Sequence, residues 1–195
     1  MNYIRCKSGF AIFVAYFKTL MTDTIKKTGF RWGLWAGLSL ILLSTYIHFY
    51  HLELLTDVWV GVLTLLMTVV FGIVSILVVK KKLGGQIDFK EAFSAYFVTI
   101  LIASLLSTVY LLLLYHFILS PETRDSIRQA MIDFNLNLMQ QNLASQEDKD
   151  KAMEVYKTFD PFAPAQVLTA ALKYLMRDCL IGFLVALIFR NKRTL

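Results

Sequence analysis

The residues best suited to chemistry sit in the last apolar stretch of the chain. Gln166, Thr169, Lys173 and Arg177 recur at spacings of three, four and four, so a helix carries them on one face. Asp178 follows Arg177 directly and lies about 100° around the same helix. A charged side chain at the middle of a membrane helix costs about 2.5–3.5 kcal/mol or more unless it is paired or wetted. Two readings stay open. The five residues form a polar path for a substrate or ion, joined by Thr99, Ser104 and Thr108 from the third apolar run. Alternatively the helix enters the membrane late, Lys173 snorkels outward, and Arg177 pairs with Asp178 or a loop carboxylate.

Metal and covalent chemistry find less support. His48, His51 and His116 map to one outer face, with Glu53 and Asp57 close to the first two in sequence. They are weak metal candidates, since an interfacial histidine is more often an amphipathic tip in the headgroup layer. Cys6 and Cys179 have neither metal-ligand spacing nor an obvious disulfide role. No H-E-x-x-H, G-x-S-x-G or Walker glycine loop occurs, so neither a catalytic residue nor a cofactor is expected. Asp57, Asp88 and Glu91 are better explained as loop and cap residues.

The elements that must position these residues follow from composition. Of 195 residues, 57% are hydrophobic and 17% charged, and the mean hydropathy is +0.58. Soluble domains carry about 45–50% apolar and about 25% charged residues. An ordinary soluble enzyme, a disordered chain and a disulfide scaffold are therefore excluded. Four apolar runs cover residues 33–50, 58–79, 93–119 and 165–189, without the period-two alternation of barrel strands. Each is near the length of about 20 residues that crosses a hydrocarbon core as a helix. The fold expected is an all-α integral membrane protein with four spans in an antiparallel bundle.

Basic residues orient the spans. Arg5, Lys7, Lys18, Lys26, Lys27 and Arg31 precede the first. Lys80, Lys81, Lys82 and Lys90 lie between the second and third, and Arg190, Lys192 and Arg193 follow the fourth. The opposite side has no Lys or Arg in residues 51–57, and five basic against eight acidic residues in 120–164. Both termini should face the cytoplasm of a bacterial inner membrane. The net charge of +6 then reads as an anchor, and no nucleic-acid partner is expected.

Residues 1–31 form a separate amphipathic, cytoplasmic segment ahead of the transmembrane domain at 32–195. Residues 1–20 are either an interfacial helix or precede an alternative start at Met21. Packing in the bilayer relies on small residues, because lipid tails are as apolar as leucine. Gly33 and Gly37 in the first span, Gly61 and Gly72 in the second, Ala103 in the third and Gly182 in the fourth supply them. Gly84 and Gly85 end the second helix, and Asp88 with Glu91 opens the third through an Asp variant of the capping box.

The extracytoplasmic stretch 120–164 predicts a helical hairpin. Ser120 caps one helix with Pro121 at its first position, and Ser145 with Asp148 opens another. Ile127, Met131, Phe134 and Leu138, flanked by Ile132, Leu136, Met139 and Leu143, make one broad apolar face. That face either folds onto the outer end of the bundle or docks a second copy or another envelope protein through 121–160.

Several of these segments resemble one bacterial family. They are Lys26-Lys27-Thr28-Gly29 leading into Gly33 and Gly37, the basic end of span two, and Gly85 to Phe93. Ser120-Pro121-Glu122 ahead of a Met- and Gln-rich helix completes the set. The chain is similar to domain-of-unknown-function family 4199, small membrane proteins found mainly in Bacteroidetes-type bacteria. The resemblance runs from about Thr22 to Arg193, and its most specific piece is Ile87 to Phe93. It implies a four-helix inner-membrane protein and transfers no activity. The Lys173, Arg177 and Asp178 cluster departs from the pattern. The function expected is that of an accessory or assembly partner in a cell-envelope complex. The alternative is a small oligomeric transporter or channel with a path along span four.

Overall fold

The ends of the helices follow from their caps. The computed structural model describes residues 22–142 and 145–191. The expected segment 1–20, Leu143, Lys192 and Arg193 lie outside the described residues. Among those described, the chain is all-helical, with six α-helices and no strand. They are α1 (Asp23–Tyr50), α2 (Val58–Lys82), α3 (Phe89–Leu113), α4 (Pro121–Gln141), α5 (Gln146–Thr158) and α6 (Pro164–Phe189). A 3-10 turn, Leu52–Thr56, links α1 to α2, and a π-helical turn, Leu114–Ile118, ends α3.

Helix α1 starts at Asp23, well before the apolar run at Gly33. The Thr22 carbonyl accepts from the Ile25 and Lys26 amides at 3.0 and 3.2 Å, and Asp23 suits the positive end of the helix dipole. Hydropathy marks only the greasy part of a helix, whereas the cap marks its start. At the end of α2 the Gly85 amide bonds Lys80 O at 2.9 Å and the Gly84 amide bonds Lys81 O at 3.3 Å. This is a Schellman motif, and the two glycines take φ of +77° and +87°. Helix α3 opens reciprocally: the Glu91 amide donates to Asp88 Oδ1 at 2.7 Å and the Asp88 amide to Glu91 Oε2 at 2.9 Å.

Three helices are long and apolar enough to cross a membrane: Asp23–Tyr50, Val58–Lys82 and Phe89–Ile118. Hydrocarbon offers the backbone no hydrogen bonds, so each span satisfies its own as a helix. The expected fourth span does not meet the same measure. Helix α6 has the length, at 26 residues, but every 18-residue stretch within it includes Lys173, Arg177 and Asp178.

The chain divides into two compact units. Within the described residues, unit one comprises 22–36, 67–103 and 177–191. Its centre is Tyr96 on α3, fully buried, with one ring edge against Gly72 of α2 and the other against Gly182 of α6. A Cβ at either glycine would overlap ring carbons. Helix α1 approaches α3 in the same way. A Cβ at Gly29 would lie 2.8 Å from Val98 Cβ, and one at Gly33 2.7 Å from Ile102 Cβ. Ala103 is buried on α3. At the helix ends, Lys80 Nζ donates to the Phe189 carbonyl at 3.3 Å and Lys82 Nζ to Thr28 Oγ1 at 3.0 Å. The Ile87 amide donates to Asn191 Oδ1 at 3.1 Å, and the Asn191 amide returns to Ile87 O at 2.9 Å.

Unit two comprises 37–66, 104–142 and 145–176. Here a Cβ at Gly37 would meet Leu106, 2.8 Å from Cδ2. Leu114, Leu119, Ile127 and Phe162 form a core, with Leu52, Leu55, Tyr110, Leu111 and Tyr115 packed around it. Helix α4 lies against the 3-10 turn and against α5. Ser120 Oγ accepts the Thr123 amide at 3.2 Å and Ser145 Oγ the Asp148 amide at 3.1 Å, so both helices start at the expected caps. Arg128 Nη2 donates to the Tyr156 carbonyl at 3.1 Å, tying α4 to α5.

One expected packing glycine stands apart: a Cβ at Gly61 would have open space around it. The two glycines of α2 should therefore respond oppositely to alanine. Gly72→Ala overpacks the Tyr96 slot and should cost about 1–3 kcal/mol. Gly61→Ala should stabilise by up to about 1 kcal/mol through helix propensity. Thermal unfolding in mild detergent checks both, and a second substitution of Tyr96 by Leu should relieve the Gly72→Ala defect.

Candidate functional site

Unit one places a polar cluster among apolar helices. Arg177 and Asp178, adjacent on α6, bond each other directly: Nε and Nη2 of Arg177 both reach Asp178 Oδ1 at 2.9 Å. Asp178 also takes a hydrogen bond from the Thr68 side chain of α2. The two members of the pair are unequally buried. The Asp178 side chain is 9% exposed and that of Arg177 39%. Tyr96 lies beside them, within electrostatic reach of Asp178, Cys179 and Arg177, and its buried hydroxyl has no protein hydrogen-bond partner. Ser75 Oγ and Thr99 Oγ1 both donate to the Ala95 carbonyl, at 3.3 and 2.9 Å.

The remaining residues of the expected path belong to unit two. Gln166, Thr169 and Lys173 stand on the exposed side of α6, and the Thr169 hydroxyl turns back to Ala165 O at 2.7 Å. Thr108, also in unit two, donates to Ser104 O at 2.6 Å. These hydroxyls are occupied by the carbonyl four residues earlier, the usual outlet for Ser and Thr in an apolar helix.

The histidines, all in unit two, separate as well. His48 is buried. Its Nδ1 lies 2.8 Å from Ser44 O, a carbonyl that can only accept, so Nδ1 carries the proton. Nε2 then accepts from the Tyr115 hydroxyl at 3.3 Å. Beside them Thr45 and Tyr110 share a hydrogen bond between hydroxyls. His51 Nδ1 lies 2.8 Å from Glu53 Oε1 on the exposed 3-10 turn. The Glu53 carboxyl is held below its usual range by its own backbone amide and, next, by the His51 ring. His116 Nδ1 meets Leu112 O at 3.0 Å. Among the described residues no three His, Cys, Asp or Glu side chains could hold a metal ion together.

Sequence reasoning singled out Arg177 and Asp178 but missed Tyr96, one of nine tyrosines in an aromatic-rich chain. The available signal was indirect: Gly72 and Gly182 needed a common side chain to explain both.

The unequal burial of the ion pair sets an order for its variants. Arg177→Leu leaves a buried carboxylate uncompensated and should cost about 3–5 kcal/mol. Asp178→Leu leaves a half-exposed guanidinium and should cost less. Replacing both by Leu should recover most of the loss. Detergent melting curves of the three variants test the order.

A comparison with protein families matches the model described as protein of unknown function (DUF4199) to residues 31–191. No curated protein and no solved structure matches the chain. The match takes in α2 to α6 and most of α1, including Tyr96, Arg177 and Asp178. The chain belongs to the DUF4199 family of proteins of unknown function.

Proposed function

We propose that this protein is an accessory or structural subunit of a membrane complex in the bacterial cell envelope. The observation that carries the proposal is the outward polar stripe of α6. Gln166, Thr169 and Lys173 are exposed on the single chain, on a helix that otherwise reads as a membrane element. An uncovered ammonium near hydrocarbon is expensive, and polar side chains between membrane helices are satisfied by a neighbouring helix. A partner polypeptide supplies such a neighbour. The pairing of Arg177 with Asp178 adds support, because that charge is met within the chain itself.

In this reading α6 crosses as a fourth span and completes an antiparallel bundle. The basic residues around Lys26, Lys80–Lys82 and Arg190 then face the cytoplasm with both termini. The hairpin of α4 and α5 stands outside. Its exposed Met131, Leu138, Met153 and Val155 extend the contact surface beyond the bilayer. A cleft of about 300 Å³ between the 3-10 turn and α4, lined by Leu55, Val58, Met131 and Phe134, belongs to the same surface.

Photocrosslinkers at positions 169 and 173 test the reading in intact cells. One envelope protein captured from both positions, and co-purifying at fixed stoichiometry in mild detergent, is the expected result. A homo-oligomer that passes solute in vesicles would replace it with a transporter built around the same stripe. Tags on the two termini should be protected together in inside-in vesicles; protection of only one overturns the four-span arrangement.

A further inference from the structure

We propose that unit one binds a water molecule between Tyr96, Thr68 and Asp178. The argument starts from the Tyr96 hydroxyl. The residue is 0% exposed, its hydroxyl lacks a protein partner, and its ring cannot swing, because Gly72 and Gly182 grip opposite edges. A phenol hydroxyl taken out of water without a new partner is costly, so buried polar groups of this kind are met by protein or by ordered solvent. Thr68 and Asp178 stand one turn before Gly72 and Gly182, the glycines against the Tyr96 ring, and Asp178 lies within electrostatic reach of Tyr96. Asp178 is buried, Arg177 reaches its Oδ1 through two nitrogens, and a carboxylate offers about four acceptor positions over its two oxygens. Thr68 already reaches the same carboxylate from α2.

Charge selects among small ligands. Arg177 already balances Asp178, so a monovalent cation would leave the cluster with a net positive charge in an apolar setting, and an anion would leave it negative. A neutral molecule changes nothing. Water can accept the Tyr96 O–H, donate to the Asp178 carboxylate, and use its remaining capacity toward Thr68. That meets the two to four polar partners a buried water requires. It would link three helices, through Tyr96 of α3, Thr68 of α2 and Asp178 of α6.

Radiolytic hydroxyl labelling of the full chain in detergent tests the site, because radicals form from bound water where bulk water has no access. Tyr96 should be labelled well above the neighbouring buried side chains. After rapid mixing with oxygen-18 water its label should exchange more slowly than that of exposed tyrosines such as Tyr50. Absence of label at Tyr96, or exchange as fast as at Tyr50, overturns the proposal. Tyr96→Phe supplies a second readout through its sign. Loss of a water-mediated bond should lower the Tm, whereas a rise would mean that the hydroxyl was never satisfied. A Tm that climbs with sodium or potassium against choline in the wild type, and not in Tyr96→Phe, would identify a cation and overturn the assignment of water.

Discussion

The Tyr96 ring held between Gly72 and Gly182 is the contact on which unit one depends. Between helices in hydrocarbon, apolar burial gives little drive, and association rests on close backbone approach and good packing. Two glycines on different helices open a slot, and one rigid aromatic side chain from α3 fills it from both sides. The same ring brings a hydroxyl into the apolar interior within electrostatic reach of Arg177 and Asp178. Packing and polarity in unit one therefore meet at a single residue.

Elsewhere, polar groups are met by near neighbours. Arg177 finds its counter-charge one residue away, and Thr99, Thr108 and Thr169 give their protons to carbonyls four residues back. His48 uses Ser44 O on its own helix and Tyr115 on the π-helical turn after α3, within unit two. Lys80 closes the carboxyl end of α6 at Phe189, where a cation complements the helix dipole. Hydroxyls committed in this way are poor walls for a hydrophilic path. The groups of α6 that stay uncommitted at its surface, Gln166 and Lys173, are exposed.

The hairpin of α4 and α5 shows a different balance. Its caps at Ser120 and Ser145 and the Arg128–Tyr156 bond hold it together through polar contacts, while Ile127 alone of its described residues is buried in the core. Part of the apolar stripe read from the sequence, Met131 and Leu138, stays substantially exposed. The segment thus behaves as a folded surface attached to unit two by a narrow apolar footing.

Helix starts and stops were legible in the residues themselves. The Asp88–Glu91 box, the Ser120 and Ser145 caps and the Gly84–Gly85 stop each involve atoms within five residues of one another, so local spacing determines them. Apolar runs likewise marked the three helices able to cross a membrane, because that property is a sum over adjacent side chains. The family, too, could be read from short segments such as Ile87 to Phe93. Only the tertiary structure decided that Gly72 grips an aromatic ring while Gly61, on the same helix, touches nothing. It also decided that Tyr96 lies beside Asp178, and that the polar stripe of α6 points outward. Those facts depend on residues tens of positions apart meeting at atomic distance, and a helical repeat states which residues share a face without stating what that face will touch.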